Sequence, residues 1–422
     1  MTATNVEPPL AGIRVLALSQ AWAGTLATEQ LALMGAEVIQ VESRSRPDVW
    51  RGGYQAPIPA ALRQLESAKN GWNVSALFNS VNLHKEGVTL DLGQPAGIEL
   101  VCRLIARSDV VVENFSPRVM TNLGIGYERL QQVRPGIILL SMSAFGATGP
   151  YAYYPGIGGT IEPVSGMSSQ LGYPGGPPLN CGMMFPDPIS GYFGAAAVLM
   201  ALYHRNLTGE GQHIDLSMQV VCSTYLADAI VHYSATGEVR PRAGNRHPVH
   251  APHNIYPCRG DDEWIAVAAE SDADFAAIAA IAGHPEWSND PRFATEPARK
   301  ANEDLLDALL AAWTRGCDST SLESTLAAAN LLGARVAKPS DVLRDVHLWA
   351  RGVLAEVNHP EAGRFAVATT PVHLPGVPPQ VVRPAPLHGE HSREVFARLL
   401  GMTAEEFAAL ETEGITGSGP PE

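Results

Sequence analysis

The first third of the chain alternates short apolar stretches with helical patterns, and this alternation restricts the possible folds more than any other feature. The predicted strands are residues 13–18, 37–42, 87–92, 108–113 and 137–142. The predicted helices between them are residues 25–34, 94–106 and 126–133. A strand, a helix and a second strand in succession form a parallel pair with a right-handed crossover. The sequence therefore predicts an α/β fold whose large domain contains a doubly wound parallel sheet.

Composition narrows the class of function. The 422 residues are 45% hydrophobic and 17% charged, which is typical of a globular enzyme with a large core. A formal net charge of −14 argues against nucleic-acid binding, which needs a basic surface. The five scattered cysteines contain no CxxC pair and predict reduced thiols in a cytoplasmic protein. The polar residues 1–9 do not form a signal peptide, and the longest apolar run, 192–203, is too short to cross a membrane.

The amino-acid composition changes after residue 143. Residues 144–178 are dense in Gly and Pro and predict a long functional loop. A buried helix near 192–203, a strand at 213–217 and a long helix at 219–234 follow it. A smaller α/β domain is predicted from a strand at 263–268 and helices at 275–283, 299–314 and 319–329.

The remaining chain is predicted to return to the large domain. It contains strands at 353–357 and 364–368, a passage with Pro375, Pro378, Pro379, Pro384 and Pro386, and a last helix at 393–400 with Ser392 as its N-cap. The predicted division is therefore a large domain from 9–225, a small domain from 235–340, a return segment from 341–411 and a tail from 412–422 that frays after Thr416.

Several common site motifs are missing from the sequence. The turn after the first strand, residues 19–24, has one glycine, so it does not predict a nicotinamide dinucleotide site. Walker A, GxSxG and HExxH patterns do not occur. His247, His250 and His253 are spaced like metal ligands, but Pro248 and Pro252 interrupt any helix and favour an ordered loop. No metal site is predicted.

Two polar residues stand at positions suited to a site. Asp187 lies between two prolines at the start of the buried helix, where an Asp is a favoured N-cap. The positive end of a helix also keeps a carboxylate ionised, as nucleophilic attack on an acyl group requires. Asn114 follows the strand at 108–113 and could hold a ligand or cap a turn. Local pattern leaves both roles open for each residue.

Eight short runs, taken in order, carry a resemblance to a known family. They are Pro9-Leu10-Ala11-Gly12-Ile13-Arg14-Val15-Leu16, Gly35-Ala36-Glu37-Val38-Ile39, Val88-Thr89-Leu90-Asp91-Leu92, Val112-Glu113-Asn114-Phe115, Leu123-Gly124-Ile125-Gly126-Tyr127-Glu128, Phe145-Gly146-Ala147-Thr148-Gly149-Pro150, Thr208-Gly209-Glu210-Gly211-Gln212 and Pro386-Leu387-His388-Gly389-Glu390-His391. Together they span about 9–411, and the chain resembles the family III CoA-transferases, which include formyl-CoA transferase, carnitine CoA-transferase and the α-methylacyl-CoA racemases.

The resemblance implies a chemistry for Asp187. In the transferases an Asp at this place attacks an acyl-CoA thioester and forms first an aspartyl–acyl anhydride and then an aspartyl–CoA thioester. The implied partners are an acyl-CoA donor and a carboxylic acid acceptor. Coenzyme A is thus a substrate, and no tightly bound cofactor is expected. The resemblance also implies a homodimer whose two chains are interlocked.

The resemblance assigns further residues to CoA. The turn after the first strand supplies Gln20, Trp22 and Ala23, and Asn114 and Phe115 lie beside the pantetheine arm. The adenine contact falls on Leu90, Asp91, Leu92 and Gly93. The basic residues of the family fall on Ser43 and Asn122, so Arg44 and Arg118 are the replacements expected to hold phosphates. Phe145 and Gly146 complete the predicted CoA site.

Departures from the family pattern refine the expected activity. The racemases carry a His at the position of Ile157, and an isoleucine cannot act as a base, which favours CoA transfer over racemisation. An acyl-CoA racemase or isomerase is the alternative, and a non-catalytic CoA-binding protein is a second one. The formyl-CoA enzymes have a Tyr at Phe145 and a mobile glycine-rich loop that this chain lacks, so oxalate and formate are not expected as substrates. Trp22, Phe145, Met183, Met184 and Phe185 predict an apolar pocket wall.

Overall fold

The computed structural model describes residues 7–374, 377 and 382–421. Pro375, Pro378 and Pro379 of the proline-rich passage lie outside the described residues. The same is true of residues 1–6, on which most of the argument about a signal peptide rests. In the described part of the chain, no helix combines the length and apolar character needed to cross a bilayer.

A six-stranded parallel sheet organises the larger of two compact units. Its strands are β1 (Arg14–Leu18), β2 (Glu37–Glu42), β3 (Glu86–Thr89), β4 (Val110–Glu113), β5 (Ile138–Ser143) and β6 (His213–Ser217). The strand order is β3-β2-β1-β4-β5-β6, and all neighbours are parallel. The predicted α/β class and parallel sheet are confirmed. The order reverses between β1 and β4, which creates a topological switch point at the carboxyl ends of these strands.

Helices cover both faces of this sheet. On one face lie α1 (Ala23–Leu33) and α8 (Pro186–Thr208), and on the other lie α3 (Pro95–Ile105) and α5 (Tyr127–Val133). The other helices between residues 76 and 236 are α2 (Ala76–Asn79), α4 (Val119–Asn122), α6 (Gly158–Val164), α7 (Met167–Gln170), α9 (Met218–Thr224) and α10 (Ala227–Thr236), and most of α7 belongs to the smaller unit. Side chains alternate along each strand, so Val15 joins the core under α1 and α8 while Leu16 joins the core under α3 and α5. Because both faces are buried there, the inner strands β1, β4 and β5 contain runs of consecutive apolar residues, which is the pattern seen in the sequence.

The predicted helix at 219–234 and the predicted loop at 144–178 are both partly wrong. The helix is interrupted between α9 and α10, where Tyr225 N bonds to Cys222 O and Leu226 N bonds to Ser223 O, each at 3.1 Å. These shorter-range hydrogen bonds tighten the chain and end the α-helical turn. The loop contains α6 and α7, so part of its backbone is ordered by helical hydrogen bonds.

The smaller unit is an antiparallel sheet with helices. Its strands are β7 (His253–Pro257), β8 (Trp264–Ala268) and β9 (Leu332–Arg335), in that order. Its helices are α11 (Asp272–Ile281), α12 (Glu296–Ala301), α13 (Glu303–Thr314), α14 (Ser319–Ala328) and α15 (Pro339–Val342). The single helix predicted at 299–314 is wrong because it breaks at Asn302, whose side-chain Nδ2 donates to Ala298 O at 2.9 Å.

The two units differ from the predicted division in residues 341–345, which were predicted to begin the return segment, and in one further segment. The smaller unit comprises residues 237–345 and also 168–179, which was predicted to belong to the large domain. Gly244 N donates to Gly172 O at 2.9 Å, and Arg242 Nη2 donates to Gly176 O at 2.6 Å. These hydrogen bonds tie the segment to residues distant in sequence, which local pattern cannot reveal. The larger unit contains the rest of the described chain.

The described residues of the C-terminal stretch 346–421 belong to the larger unit. Its elements are α16 (Val346–Ala350), β10 (Leu354–His359), β11 (Gly363–Ala368), α17 (Ser392–Leu400) and α18 (Ala404–Thr412). Ser392 is not an N-cap, because it lies within α17 and its Oγ accepts a hydrogen bond from Thr89 N at 3.1 Å. The predicted fraying after Thr416 is also wrong: Gly417 N donates to Thr89 Oγ1 at 3.0 Å, and Gly419 O accepts a hydrogen bond from the Tyr54 hydroxyl at 3.0 Å.

Candidate active site

Asn114 joins two turns across the switch point. Its Oδ1 accepts a hydrogen bond from Gln20 N at 2.9 Å, and its Nδ2 donates to Gln20 O at 2.8 Å. The amide therefore satisfies the backbone of the turn that follows β1. Of the two roles left open by the sequence, the structure shows turn capping, and the residue also lines the cavity described below.

Asp48 binds the backbone of Ala21, the next residue of the same turn. The sequence analysis did not predict this role for Asp48. Ala21 has a φ of +61°, an uncommon conformation for a residue with a side chain. Its N–H donates to both carboxylate oxygens of Asp48 at 3.1 Å, and Trp50 N donates to Asp48 Oδ1 at 2.8 Å. Burial, helped by the nearby Glu42, raises the pKa of Asp48 to about 6. An Asp directly before the short helical turn at Val49–Arg51 was the available signal.

Asp187 is the second residue of α8, so its predicted place as N-cap is wrong. The N-cap position belongs to Phe185. Gly182 and Met184, with φ angles of +79° and +46°, turn the chain into the helix. The prolines on either side of Asp187 both fall in the first turn, where backbone N–H groups have no partner within the helix and proline is tolerated.

The carboxylate of Asp187 is enclosed on one side. Its Oδ2 is buried and accepts no hydrogen bond from any described residue. Gly158 packs so closely that a Cβ there would lie 1.9 Å from this oxygen, so only glycine fits. Gly158 is a second site residue that the sequence analysis did not predict. The available signal was the glycine-rich run Gly156-Ile157-Gly158-Gly159, which is typical of close backbone packing.

Burial controls the charge of Asp187 more than the helix end does. The two flanking prolines have no N–H to donate to the carboxylate, and burial raises the pKa of Asp187 from 3.8 to about 6. The helix end therefore does not hold this pKa low. A group with a pKa near 6 is still largely ionised at neutral pH, and it is more basic than an exposed aspartate.

One cavity brings together Asp187, Gln20, Ala23, Asn114 and Phe115. Its volume is about 370 Å³, and it lies at the carboxyl ends of β1, β4 and β5. A crevice at the switch point of a parallel sheet is where α/β proteins bind their ligands. The structure thus gathers the predicted nucleophile and four of the predicted CoA residues at one place.

Trp22, Phe145 and Gly146 lie around this cavity without lining it. The ring of Trp22 packs 5.2 Å from that of Trp50, which is part of the wall. The ring of Phe145 lies 6.3 Å from that of Tyr154, another wall residue. Gly146 has a φ of +84° and continues the turn after β5.

Arg118 lies in a smaller neighbouring cavity. Its guanidinium stacks 3.8 Å above the ring of Tyr153. This cavity of about 160 Å³ shares Phe115, Ser116 and Ser143 with the wall of the first. A cation is therefore present next to the Asp187 cavity and separate from its lining.

The structure does not bring Arg44 or residues 90–93 to the Asp187 cavity. Leu90 is buried in the core, where Leu92 also packs. Asp91 accepts a hydrogen bond from Gly93 N at 3.0 Å and stabilises a turn. The guanidinium of Arg44 donates to the carbonyl oxygens of Thr416, Gly419 and Pro420 at 2.8–3.3 Å.

The three histidines of the predicted loop contact one another and other residues of the same chain. The rings of His247 and His250 stack at 4.4 Å. His250 Nδ1 lies 2.6 Å from Glu296 Oε1, and His253 Nδ1 lies 2.8 Å from Asn245 O. Across residues 7–374, 377 and 382–421, no group of three or more His, Cys, Asp or Glu side chains is arranged to hold a metal ion.

Known proteins resemble this chain over nearly its whole length. The sequence profile described as CoA-transferase family III matches residues 10–392. Succinyl-CoA–D-citramalate CoA-transferase from Chloroflexus aurantiacus is 33% identical over 415 residues, covering 98% of this chain and 100% of the relative. Succinate–glutarate CoA-transferase from Agrobacterium fabrum is 32% identical over 396 residues, covering 94% and 96%. The crystal structure of a CAIB/BAIF family protein from Brucella suis has a TM-score of 0.84 and 31% identity, covering 93% and 100%. The resemblance seen in the sequence is confirmed, and the chain is an enzyme that belongs to CoA-transferase family III.

Proposed function

We propose that this enzyme moves CoA from an acyl-CoA donor to a carboxylic acid acceptor with Asp187 as the covalent nucleophile. The observation that carries the proposal is the enclosed Oδ2 of Asp187, which has no partner in the described chain and belongs to a residue lining the switch-point cavity. Its raised pKa supports the same role, since a basic but ionised carboxylate is suited to attack a thioester.

The reaction consists of two symmetrical halves. The Asp187 carboxylate attacks the thioester carbonyl, the CoA thiolate leaves, and an aspartyl–acyl anhydride forms. The thiolate attacks the aspartyl carbonyl of this anhydride, releasing the donor acid as its carboxylate and forming an aspartyl–CoA thioester. The acceptor carboxylate then displaces the thiolate to give a new anhydride. Attack of the thiolate on the acceptor's acyl carbon releases the new acyl-CoA and regenerates Asp187.

The cavity walls suggest how CoA is held. We assign the pantetheine arm to Gln20, Ala23, Asn114 and Phe115, because these residues share one cavity with Asp187. Arg118 is assigned to a phosphate, because it supplies a cation in the adjoining cavity. Trp22, Phe145 and Gly146 support the wall. Nothing in the geometry supports a CoA contact for Arg44, whose donors bind C-terminal carbonyls, or for residues 90–93.

A racemase activity receives no support at this site. Ile157, at the position of the racemase histidine, lines the cavity together with Asp187. Among the described residues of this lining, Asp187 is the only carboxylate and no histidine or lysine is present. A two-base exchange of the α-proton therefore has no second base of these kinds there.

Trapping of the acyl-enzyme tests the proposal. The enzyme is incubated with a panel of acyl-CoA donors and hydroxylamine, and the Asp187 peptide is analysed by mass spectrometry. We expect a hydroxamate at Asp187 and its loss in Asp187→Asn. The matched control is Glu128→Gln, which alters an exposed acid in the first turn of α5 and should retain the adduct. A donor that is turned over without any adduct at Asp187 would contradict the mechanism.

We also propose that the enzyme is a cytoplasmic, interlocked homodimer. The helix α10 has no buried residue, although Ile230, Val231 and Tyr233 are apolar and more than half exposed. An apolar helix of this kind is typical of a surface covered by a partner chain. The scattered cysteines fit a reducing compartment. Light scattering after size-exclusion chromatography measures the oligomeric state, and a monomer would contradict the dimer.

A further inference from the structure

A buried carboxylate on α6 holds residues 180–187, the entry segment that leads the chain into the start of α8. This carboxylate belongs to Glu162, which is fully buried. Its Oε1 accepts a hydrogen bond from Cys181 N at 2.7 Å, and its Oε2 accepts one from Cys181 Sγ at 3.2 Å. Hydrogen bonds to a carboxylate are strong, and more so in a buried place. Glu162 therefore fixes one end of the entry segment.

The helix that carries this carboxylate is itself anchored. Ile161 is fully buried in the core under α1 and α8. At the end of α6, Ser165 O accepts a hydrogen bond from Ser223 Oγ of α9 at 3.1 Å. Asn180 Nδ2 donates to Gly159 O at 3.1 Å and adds a second link between α6 and the entry segment. Helix α6 is therefore a fixed support for that segment.

The other end of the entry segment also meets α6. A Cβ at Gly158 would lie 1.9 Å from Asp187 Oδ2 and 2.8 Å from the Cβ of Met184. Within the segment, Gly182 and Met184 have positive φ angles, which are uncommon for a residue with a side chain such as Met184. Such a conformation persists only where flanking contacts enforce it, and here Glu162 and Gly158 supply those contacts. Of the residues predicted to form an apolar pocket wall, only Met184 lines the Asp187 cavity.

We propose that Glu162 is a positioning residue for the nucleophile and acts through Cys181 on the backbone that carries Asp187. The inference rests on the proposed function, in which Asp187 attacks the thioester. Loss of the two hydrogen bonds to Cys181 would free one end of the entry segment and allow its backbone to relax. A displacement of about 1 Å in a reacting group can lower a rate by about 100-fold. The effect should fall on kcat and leave KM nearly unchanged, because the proposed CoA contacts lie on other segments.

Glu162 acts by geometry and not by charge. Burial is what raises the pKa of Asp187, while the carboxylate of Glu162 is bound to Cys181. A further ionisable group close to all three residues is Cys222 of α9. Burial raises the pKa of its thiol to about 11, with smaller contributions from the three residues, so Cys222 is uncharged at neutral pH. A neutral replacement that keeps the oxygen acceptor should therefore preserve the site.

Substitutions at Glu162 separate geometry from charge. Glu162→Gln keeps an oxygen acceptor for Cys181 N, so we expect kcat within about threefold of that of the unmodified enzyme. Glu162→Ala removes both acceptors and should lower kcat by about 100-fold, with KM for acyl-CoA changed by less than about threefold. Glu162→Asp is a milder change that keeps the charge on a side chain one methylene shorter, and it should lower kcat by about tenfold. Losses of equal size in Glu162→Gln and Glu162→Ala would overturn the geometric role.

The pH profile separates positioning from a general loss of stability. A released Asp187 carboxylate becomes hydrated, so the inflection in kcat/KM should move from about 6 toward the ordinary 3.8 in Glu162→Ala, and by less in Glu162→Asp. Glu361→Ala is the matched control, because Glu361 is a buried acid that accepts hydrogen bonds from Asn70 N at 2.8 Å and Asn73 Nδ2 at 2.7 Å. This control should lower stability and leave the inflection near 6. An unmoved inflection in folded Glu162→Ala or Glu162→Asp would overturn the inference.

Failure of the inference and failure of the proposed function are distinguishable. A hydroxamate on the Asp187 peptide of the unmodified enzyme, together with unchanged kcat in the folded Glu162 variants, would overturn the positioning role alone. Turnover by the unmodified enzyme without any adduct at Asp187 would overturn the proposed function and the inference that rests on it.

Discussion

At the residue scale, Asp187 and Gly158 depend on each other. The missing side chain of Gly158 leaves the space that Oδ2 of Asp187 occupies. Burial raises the pKa of the carboxyl to about 6 and outweighs the lowering by the backbone N–H of Asp187 itself, while Pro186 and Pro188 have no N–H to add. The sequence indicated a carboxylate at a helix start, but its protonation behaviour depends on a glycine 29 positions earlier in the chain.

Replacing Asp187 by Asn should reduce kcat by about 1,000-fold or more and also stabilise the protein above pH 6. The folded pKa of about 6 lies above the ordinary 3.8, so the stabilising effect of protonated Asp187 is complete below 3.8 and lost as the pH rises through 6. The neutral Asn avoids this loss, and the gain should be about 1–3 kcal/mol at pH 8 and smaller at pH 5. Urea denaturation at both pH values measures it. Intact activity with lower stability would instead indicate a merely structural Asp187.

The pH dependence of kcat/KM should report the ionisation of Asp187. The nucleophile must be ionised, so the rate should rise with pH through about 6 and level off above it. Rates of exchange between pH 4.5 and 8, after confirming that the enzyme remains folded, test this expectation. A rise centred near pH 4 would show that Asp187 is not desolvated in the active enzyme.

Gly158→Ala should lower activity by about 100-fold or more and destabilise the protein by about 1–3 kcal/mol, because the new methyl group would displace the Asp187 carboxylate. Gly159→Ala is the control. A Cβ at Gly159 meets no atom within 4 Å, and alanine is a better helix former, so stability should rise by up to about 1 kcal/mol. Comparable activity of the two variants would contradict the close packing at Gly158.

At the element scale, two polar side chains hold the turn between β1 and α1. Asn114 bonds to Gln20, and Asp48 bonds to the strained Ala21. Both turn residues line the cavity, so these side chains position its wall. Strand periodicity located β2 and β6 with the observed ends, because apolar alternation is a local property. The breaks between α9 and α10 and between α12 and α13 involve hydrogen bonds between residues three or four positions apart, which apolar periodicity alone does not predict.

Asp48→Ala should raise KM for acyl-CoA by about tenfold with a smaller change in kcat, because it releases the N–H groups of Ala21 and Trp50 from their acceptor. The expected loss of stability is about 1–3 kcal/mol. Asp318→Ala is the control: it removes a comparable N-cap from α14, at Ser321 N, and should cost about 1 kcal/mol with an unchanged KM. Equal effects of both variants on KM would show that Asp48 acts only through overall stability.

At the scale of the whole molecule, the C-terminal segment completes the larger unit. The buried guanidinium of Arg51 pairs with Glu42 at 2.7 Å and also donates to Pro386 O at 3.1 Å. Thr416 Oγ1 donates to Thr89 O at 2.8 Å, and Asp91 N donates to Ile415 O at 2.8 Å. The end of the chain is thus fastened to β3 and the turn after it.

Deletion of residues 415–422 should therefore lower the free energy of unfolding by about 3–5 kcal/mol. The deletion removes the buried Ile415 and its neighbouring hydrogen bonds, and it leaves polar groups at Thr89 without partners. A chain ending at Pro420 keeps these contacts and is the control. Thermal unfolding of both proteins tests the prediction, and equal melting temperatures would support the frayed tail expected from composition.

The sequence by itself determined the α/β class, the parallel sheet and the carboxylate at the start of α8. Apolar periodicity and the positions of prolines are local properties of the sequence. The order of the motifs along the chain also identified the family. Only the tertiary structure decided that Gly158 encloses Asp187, that Asp48 accepts the hydrogen bond of Ala21 N and that Arg44 donates to the C-terminal segment. These properties arise from residues far apart in the chain that meet at one edge of the sheet, and a local pattern cannot specify such meetings.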